Sequence, residues 1–146
     1  MSAEENRALV LKFYELMSKQ QFDAMFELMA DDATWTVAGR PELFHHAGVH
    51  SKAERAAGFS GFVKVFASLR MDVRSTTAEA DRVAVEAWTH CRTHSGLAYD
   101  NEMLILIRCR GGKIASIYEH LDQQRTFEFE KRLQQSLQPP PERQGL

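Results

Sequence analysis

The chain reads as an α+β protein, helices first and an antiparallel meander afterwards. Three observations carry that reading. Apolar residues recur at three- and four-residue spacing over residues 4–19, as one face of a helix requires. From Met71 onward the sequence alternates in polarity and is rich in Thr and Val, the pattern of half-buried strands. Ser95-Gly96 and Gly111-Gly112 then punctuate that half as tight turns. No repeat or linker interrupts it, so one domain is expected over residues 1–138, long enough to bury a core of its own.

The first helix, 4–19, sets Leu9, Phe13, Leu16 and Met17 on one stripe, widened by Val10 and Tyr14. Glu4 and Glu5 stand in its first turn, where the helix dipole favours negative charge. After a break at Gln20-Gln21, a second helix is predicted from Phe22 to Met29. Ala30-Asp31-Asp32 stops it, with Asp31 and Asp32 read as turn residues, and Ala33–Val37 alternates as a strand. Residues 38–50 hold two Gly, one Pro and three His and read as a loop or flap, with Arg40 exposed on it. Ser51 and Glu54 fit a capping box, opening a helix from Ser51 to Leu69 that Gly58 and Gly61 should bend or break. Strands follow at Met71–Glu79, Val83–Thr93, Leu97–Cys109 and Lys113–Asp122. The centre of the third, Met103–Ile107, is apolar on both faces and therefore expected to be buried on both. A last helix over 123–137 precedes Pro139-Pro140-Pro141, and residues 139–146 read as a disordered polar tail.

Composition excludes several classes of function. A net charge of -2 gives no basic field for nucleic acid or an anionic membrane. No apolar run approaches the roughly 20 residues that span a bilayer. The N-terminal residues lack a basic segment followed by an apolar core, so a cytoplasmic location without a secretory signal is expected. Cys91 and Cys109 are too few for a structural zinc site, and the hairpin pairing sets them too far apart to bond.

The stretch from Tyr99 to Asp122 is the informative one, because an apolar hairpin ends in Glu119, His120 and Asp122. Strand parity asks where these side chains point. With a two-residue turn at Ser95-Gly96, His90 faces Asn101, Trp88 faces Met103 and Glu86 faces Ile105. A three-residue turn at Arg110-Gly111-Gly112 pairs Glu119 with Met103 and sets it on that same face. A two-residue Gly-Gly turn pairs it with Leu104 and sets it on the other, since a one-residue slip reverses every side chain.

Several segments, in order, resemble the nuclear transport factor 2-like superfamily, and within it the SnoaL-like and ketosteroid-isomerase-like small enzymes. They are Phe22-Asp23-Ala24, Glu27 to Trp35, Asp81 to Glu86, Tyr99-x-Asn101, Gly112-Lys113-Ile114 and Glu119-His120-x-Asp122, together spanning roughly residues 5–125. The resemblance implies a conical, strongly curved and mostly antiparallel sheet wrapped around helices, an apolar pocket at its open end, and usually a homodimer. It also implies departures. Where steroid isomerases of this fold carry an aspartate base this chain has Val37, and Phe13 replaces their tyrosine donor. The positions matching the epoxide hydrolases' Arg, Asp, Asp, Tyr and Asn are Glu86, Trp88, Glu119, Trp35 and Val37, and only Glu119 keeps the chemical type. The nearest match in kind is to SnoaL-like cyclases and phenazine-biosynthesis members, where an acid in the final strand moves a proton. Glu119 fits that position, and His120 stands where a tyrosine is more usual.

The resemblance favours the register that turns Glu119 inward. One face then carries Glu86, Trp88, His90, Asn101, Met103, Ile117, Glu119 and Leu121, joined by Trp35 and Val37, with Tyr14 at the rim. An apolar cup with a few convergent polar groups is the usual make-up of a small-molecule site. A carboxyl group desolvated in such a cup is raised toward a pKa useful for acid–base work. The expectation is a cofactor-independent enzyme acting on an apolar, polyketide- or terpenoid-like molecule by isomerisation, aldol cyclisation or dehydration. Glu119 would move the proton, and His90 or Asn101 would hydrogen-bond the substrate oxygen. A non-catalytic ligand-binding or dimeric accessory domain is the alternative. His45, His46 and His50 read as ordinary loop residues rather than metal ligands, one of them able to close over the pocket.

Overall fold

The computed structural model describes residues 1–138, and the expected tail lies outside them. Helices α1 (Ala3–Ser18) and α2 (Phe22–Glu27) lead into strands β1 (Met29–Val37) and β2 (Gly48–Ser51). Helix α3 (Lys52–Val65) follows, then β3 (Phe66–Glu79), β4 (Arg82–Thr93), β5 (Ala98–Arg110), β6 (Lys113–Leu121) and α4 (Gln123–Leu137). The six strands form one curled, unclosed sheet in the order β2-β1-β6-β5-β4-β3. Among the described residues only the β1–β6 pair is parallel, and the other four pairings are antiparallel.

Helix α1 starts at a complete capping box, with Ser2 Oγ accepting from Glu5 N and the Glu5 carboxylate accepting from Ser2 N. It lays Val10, Phe13, Tyr14, Leu16 and Met17 into the hollow of the sheet, where all five are buried. There they meet Trp35, Val83, Val85, Ile105, Ile107, Ile114 and Ile117. Fully burying each such side chain contributes about 1.5–3 kcal/mol, so this stripe ties the helix to the sheet.

Several boundaries differ from the sequence reading. Strand β1 begins at Met29 rather than Ala33, because Met29 pairs with Ile114 and Ile114 N donates to Leu28 O. Asp31 and Asp32 sit exposed where the β1–β6 register shifts. Helix α3 runs unbroken through Gly58 and Gly61 and ends at Val65, since Phe66 turns extended and pairs with Thr93. Only the hydroxyl half of its predicted capping box forms: Ser51 Oγ accepts from Glu54 N, while the Glu54 carboxylate lies 3.5 Å from His50 Nδ1. The end of the 38–50 loop becomes edge strand β2.

The β4–β5 hairpin corrects the predicted register. Arg92 pairs with Ala98, and Thr93 N donates to Leu97 O across a loop of His94, Ser95 and Gly96, with Gly96 at φ +93°. This three-residue loop, with glycine in a left-handed conformation, replaces the expected two-residue turn. The slip makes Thr89 the partner of Asn101 and Ala87 the partner of Met103. It thereby reverses all of β4: Val83, Val85, Ala87, Thr89 and Cys91 face the core, and Glu86, Trp88 and His90 face outward.

The β5–β6 turn is the two-residue alternative rather than the three-residue turn that the resemblance favoured. Arg110 pairs with Lys113 across Gly111 and Gly112, at φ +56° and +78°, the two positive angles a type I′ turn demands. That turn alone would put Glu119 outside. However, the ladder slips between Arg108 and Cys109, leaving Ala115 unpaired, and Glu119 becomes the partner of Ile105. A bulge of one residue restores the parity. Glu119 therefore shares a face with Met103, Ile105 and Ile107. The outer face of β5 is not covered as expected, with Leu104 61% and Leu106 38% exposed.

Candidate active site

A cavity of about 350 Å³ opens between the concave face of the sheet and helices α1 and α3. Its walls are largely aromatic and thioether, from Trp35, Phe59, Phe62, Met71 and Met103. Phe59 packs against Trp35 and Phe26 with ring centroids 5.8 and 5.6 Å apart, so the wall continues into the core beneath it. Leu121 and Tyr14 also line the cavity, whereas Val37 and Ile117, expected on the same face, are buried in the core and do not line it.

Glu119 projects into this cavity with 5% of its surface exposed. Its neighbours in the sheet are Ile105 on one side and Val37 on the other, so no strand partner offers it a charge or a donor side chain. Desolvation dominates and raises its pKa above the ordinary glutamate value. Arg55 opposes this most strongly, followed by the Trp35 indole and His50, without reversing it. The indole Nε1–H approaches the carboxyl but closes no bond of full hydrogen-bond geometry, so its pull is best regarded as that of a nearby dipole.

Three buried donors around this acid have no partner among the described residues: Tyr14 Oη, Trp35 Nε1 and Arg55 Nε. Each arrives from a different element, α1, β1 and α3. Leaving such a donor unpaired costs about 1–3 kcal/mol, so three together are unusual at a site that only packs. Burial first, then the Glu119 carboxylate, pushes the Tyr14 phenol well above its usual range and keeps it a donor. The Arg55 guanidinium lies over the Trp35 ring, 4.4 Å from its centroid, and 5.5 Å from that of Phe59. Burial lowers its pKa, and Glu119 partly restores it without a contact ion pair among the described residues.

Arg55 is the residue sequence reasoning missed. Its signal was present: Arg55, Phe59 and Phe62 fall at i, i+4 and i+7, so the arginine belongs to the apolar stripe of α3. A cation on the buried side of a helix needs a reason, and here it projects into the cavity.

The polar partners expected from β4 are elsewhere. His90 faces outward, with its Nδ1 2.7 Å from Asp100 Oδ1, and Arg92 Nη1 donates to the same oxygen over 3.1 Å. Trp88 lies outside as well, flanked by the guanidinium groups of Arg125 and Arg74 at 4.9 and 5.5 Å, and Glu86 is exposed. The register slip at the 94–96 loop is the cause in all three cases. Thr89 and Cys91 take their places on the cavity wall, and burial pushes the Cys91 thiol up to about 11, which leaves it a poor nucleophile.

Asn101 lines the cavity, but its amide is already committed. Nδ2 donates to Tyr99 Oη at 2.8 Å and to Asp122 O at 3.0 Å, and Oδ1 accepts from Asp122 N at 3.2 Å. Tyr99 Oη is in turn 2.7 Å from Thr126 Oγ1. This network fastens β5 to the start of α4, where Asp122 caps the helix through Gln124 N. Asn101 is therefore a clasp at the cavity edge rather than a free donor.

The loop histidines gather at the rim. His46 lines the cavity and stands 2.7 Å from Glu130 Oε1 on α4, and His45 stands 3.4 Å from the same oxygen. The three side chains offer ligand atoms within 4.8 Å of one another, on an exposed surface. His50 is turned back on its own loop, its Nε2 3.0 Å from His46 O. Arg40 pairs with Glu42 in solvent.

A family model described as SnoaL-like domain matches residues 10–117. Among solved structures, PrhC from Penicillium brasilianum NBRC 6234 superposes with a TM-score of 0.82 at 18% identity, covering 92% of this chain and 91% of that one. The BvnE pinacolase from Penicillium brevicompactum superposes with a TM-score of 0.80 at 13% identity, covering 92% and 98%. An NTF2-like protein from Burkholderia xenovorans LB400 gives 0.68 at 22%, covering 88% and 97%. No curated protein matches the sequence at a significant level.

Proposed function

The chain belongs to the SnoaL-like domain family, and from that premise we propose that it is a small-molecule enzyme in which Glu119 transfers a proton. The observation that carries this reading is the buried Glu119 carboxyl facing an apolar cavity beside three unpartnered donors. A buried acid with a raised pKa is ionised over a pH range closer to neutrality, where it can both take and return a proton. Tyr14 Oη, Trp35 Nε1 and Arg55 would stabilise the negative charge that develops on a substrate oxygen as Glu119 removes a neighbouring proton. Isomerisation, aldol cyclisation and dehydration share this step, and none of them calls on a cofactor. The aromatic wall suits an apolar, cyclic substrate body of the polyketide or terpenoid kind; one fold relative is a pinacolase.

The test needs no knowledge of the natural substrate. Deuterium incorporation from D2O into 2-tetralone, followed by NMR, reports α-proton abstraction in an apolar site. The protein is expected to accelerate exchange, and Glu119→Gln to remove about 10²–10⁴-fold of that acceleration. Equal rates for the two proteins would exclude Glu119 as the base and leave the cavity a binding site.

We also propose that the protein is a homodimer paired through the outer face of β5 and β6. Leu104, Leu106 and Tyr118 are 61%, 38% and 45% exposed, and Leu106 and Tyr118 are cross-strand partners, so they form one patch. A contiguous apolar surface of this kind is the usual mark of an interface.

A further inference from the structure

We propose that the natural ligand carries a delocalised anionic oxygen, a carboxylate or the enolate of an acidic enol, seated against Arg55, Tyr14 Oη and Trp35 Nε1. Its apolar body would lie along Phe59 and Phe62, and its binding would be coupled to protonation of Glu119. This rests on the proposed function only in taking the cavity as the ligand site.

The charges in the cavity lead to this class. Arg55 is the cation facing Glu119, and it makes no contact ion pair among the described residues; aromatic faces hold it instead. When Glu119 is protonated, the cavity floor therefore holds an uncompensated guanidinium beside two neutral donors. A guanidinium matches a planar, two-oxygen anion better than any neutral group, because two parallel N–H donors meet two acceptors. A neutral alcohol would leave the cation unpaired, and a second cation would meet Arg55 directly. The donor set thus selects an anion, and Glu119, in the same space, must hold a proton while the anion is bound, as it does once it has taken one from a substrate.

Other groups that could answer to pH around Glu119 are Tyr14 from α1, His50 from β2, Cys91 from β4, Tyr99 from β5 and His46 on the rim. Tyr14, Tyr99 and Cys91 are held in their neutral forms by burial. That leaves the two histidines to be separated from Glu119 experimentally.

Isothermal titration of the full chain with 2-naphthoate and with its neutral analogue 2-naphthalenemethanol decides the matter. The carboxylate is expected to bind at least about tenfold more tightly, a difference of about 1.4 kcal/mol. Its affinity should fall as pH rises through the titration of Glu119, approaching tenfold per pH unit for one coupled proton. Arg55→Met should abolish the preference for the carboxylate. Glu119→Gln should retain the preference and lose the pH dependence, which separates the acid from His46 and His50. Equal or tighter binding of the alcohol by the wild-type chain overturns the proposal, as does a preference that survives Arg55→Met or the absence of carboxylate binding at millimolar concentration. The wild-type comparison stands even if a variant fails to fold. Loss of anion preference with intact deuterium exchange would refute this inference alone, and the reverse result would refute only the catalytic role of Glu119.

Discussion

At the scale of single residues, Glu119 and Asn101 are both buried polar groups of one cavity wall, and they play opposite parts. Asn101 has its hydrogen bonds satisfied within the fold, so Asn101→Ala leaves the Asp122 backbone without its side-chain partner and Tyr99 Oη with Thr126 Oγ1 alone. A loss of about 2–3 kcal/mol is expected, read as a lower melting temperature, with little change in deuterium exchange per folded molecule. Glu119 is raised above its unfolded pKa, so it binds its proton more tightly folded than unfolded. The stability this contributes is present in acid and is lost as pH rises through the raised pKa. Glu119→Gln, which is neutral throughout, should therefore be more stable than wild type at neutral and alkaline pH. The gain should be about 1–2 kcal/mol, shrinking toward zero in acid, as thermal unfolding across pH would show. His90→Ala, on the opposite face, should leave exchange unchanged.

Glu119 was legible in the sequence because an acid ending an apolar strand demands an explanation. Arg55 was equally legible in principle, since Arg55, Phe59 and Phe62 share a helical face. The aromatic spacing of α3 draws attention to the core and away from the charge beside it. The unpartnered state of Tyr14 Oη and Trp35 Nε1 could not be read at all, because it depends on which groups three distant elements bring together.

At the scale of elements, strand identity came from local patterning, but facing depended on single residues in the loops between strands. The His94-Ser95-Gly96 loop is one residue longer than the turn its Ser-Gly pair suggests, and that residue moved Glu86, Trp88 and His90 out of the site. At Gly111-Gly112 the tighter turn did form, and the bulge at Ala115 cancelled its effect. Nothing in the run Lys113–Tyr118 marks the bulge locally. Its neighbour β1 is irregular at the same level, between Met29 and Thr34, so the shift belongs to the pairing of three strands. Deleting Ala115 removes the extra residue and makes Cys109–Ile114 and Arg108–Ser116 consecutive pairs, so Glu119 keeps Ile105 as its partner and its inward facing. A folded variant that retains deuterium exchange is the expected outcome. A variant that folds, by denaturant titration, yet has lost exchange would show that the bulged backbone itself, and not the pairing, sets the facing of Glu119.

At the scale of the whole molecule, the order of helices and strands was enough to indicate an α+β fold, while the exposure of Leu104 and Leu106 was not foreseen. A strand apolar on both faces reads as buried, and here only its inner face meets the rest of the chain. If a second copy covers the outer face, Leu104→Glu combined with Leu106→Glu should convert a dimer to a monomer in light scattering while leaving the cavity intact. A monomeric wild-type chain would remove that proposal and leave the site unaffected.

The central claim is that the fold holds the Glu119 carboxyl inside, desolvated, with its charge only partly offset by Arg55. Carboxyl ¹³C NMR of the glutamate-labelled protein, assigned by the resonance missing in Glu119→Gln, measures this directly. Glu119 should titrate above the ordinary glutamate value and higher still in Arg55→Met, because Arg55 is the largest influence lowering it. A carboxyl that titrates at or below the ordinary value, unmoved by Arg55→Met, would contradict the account.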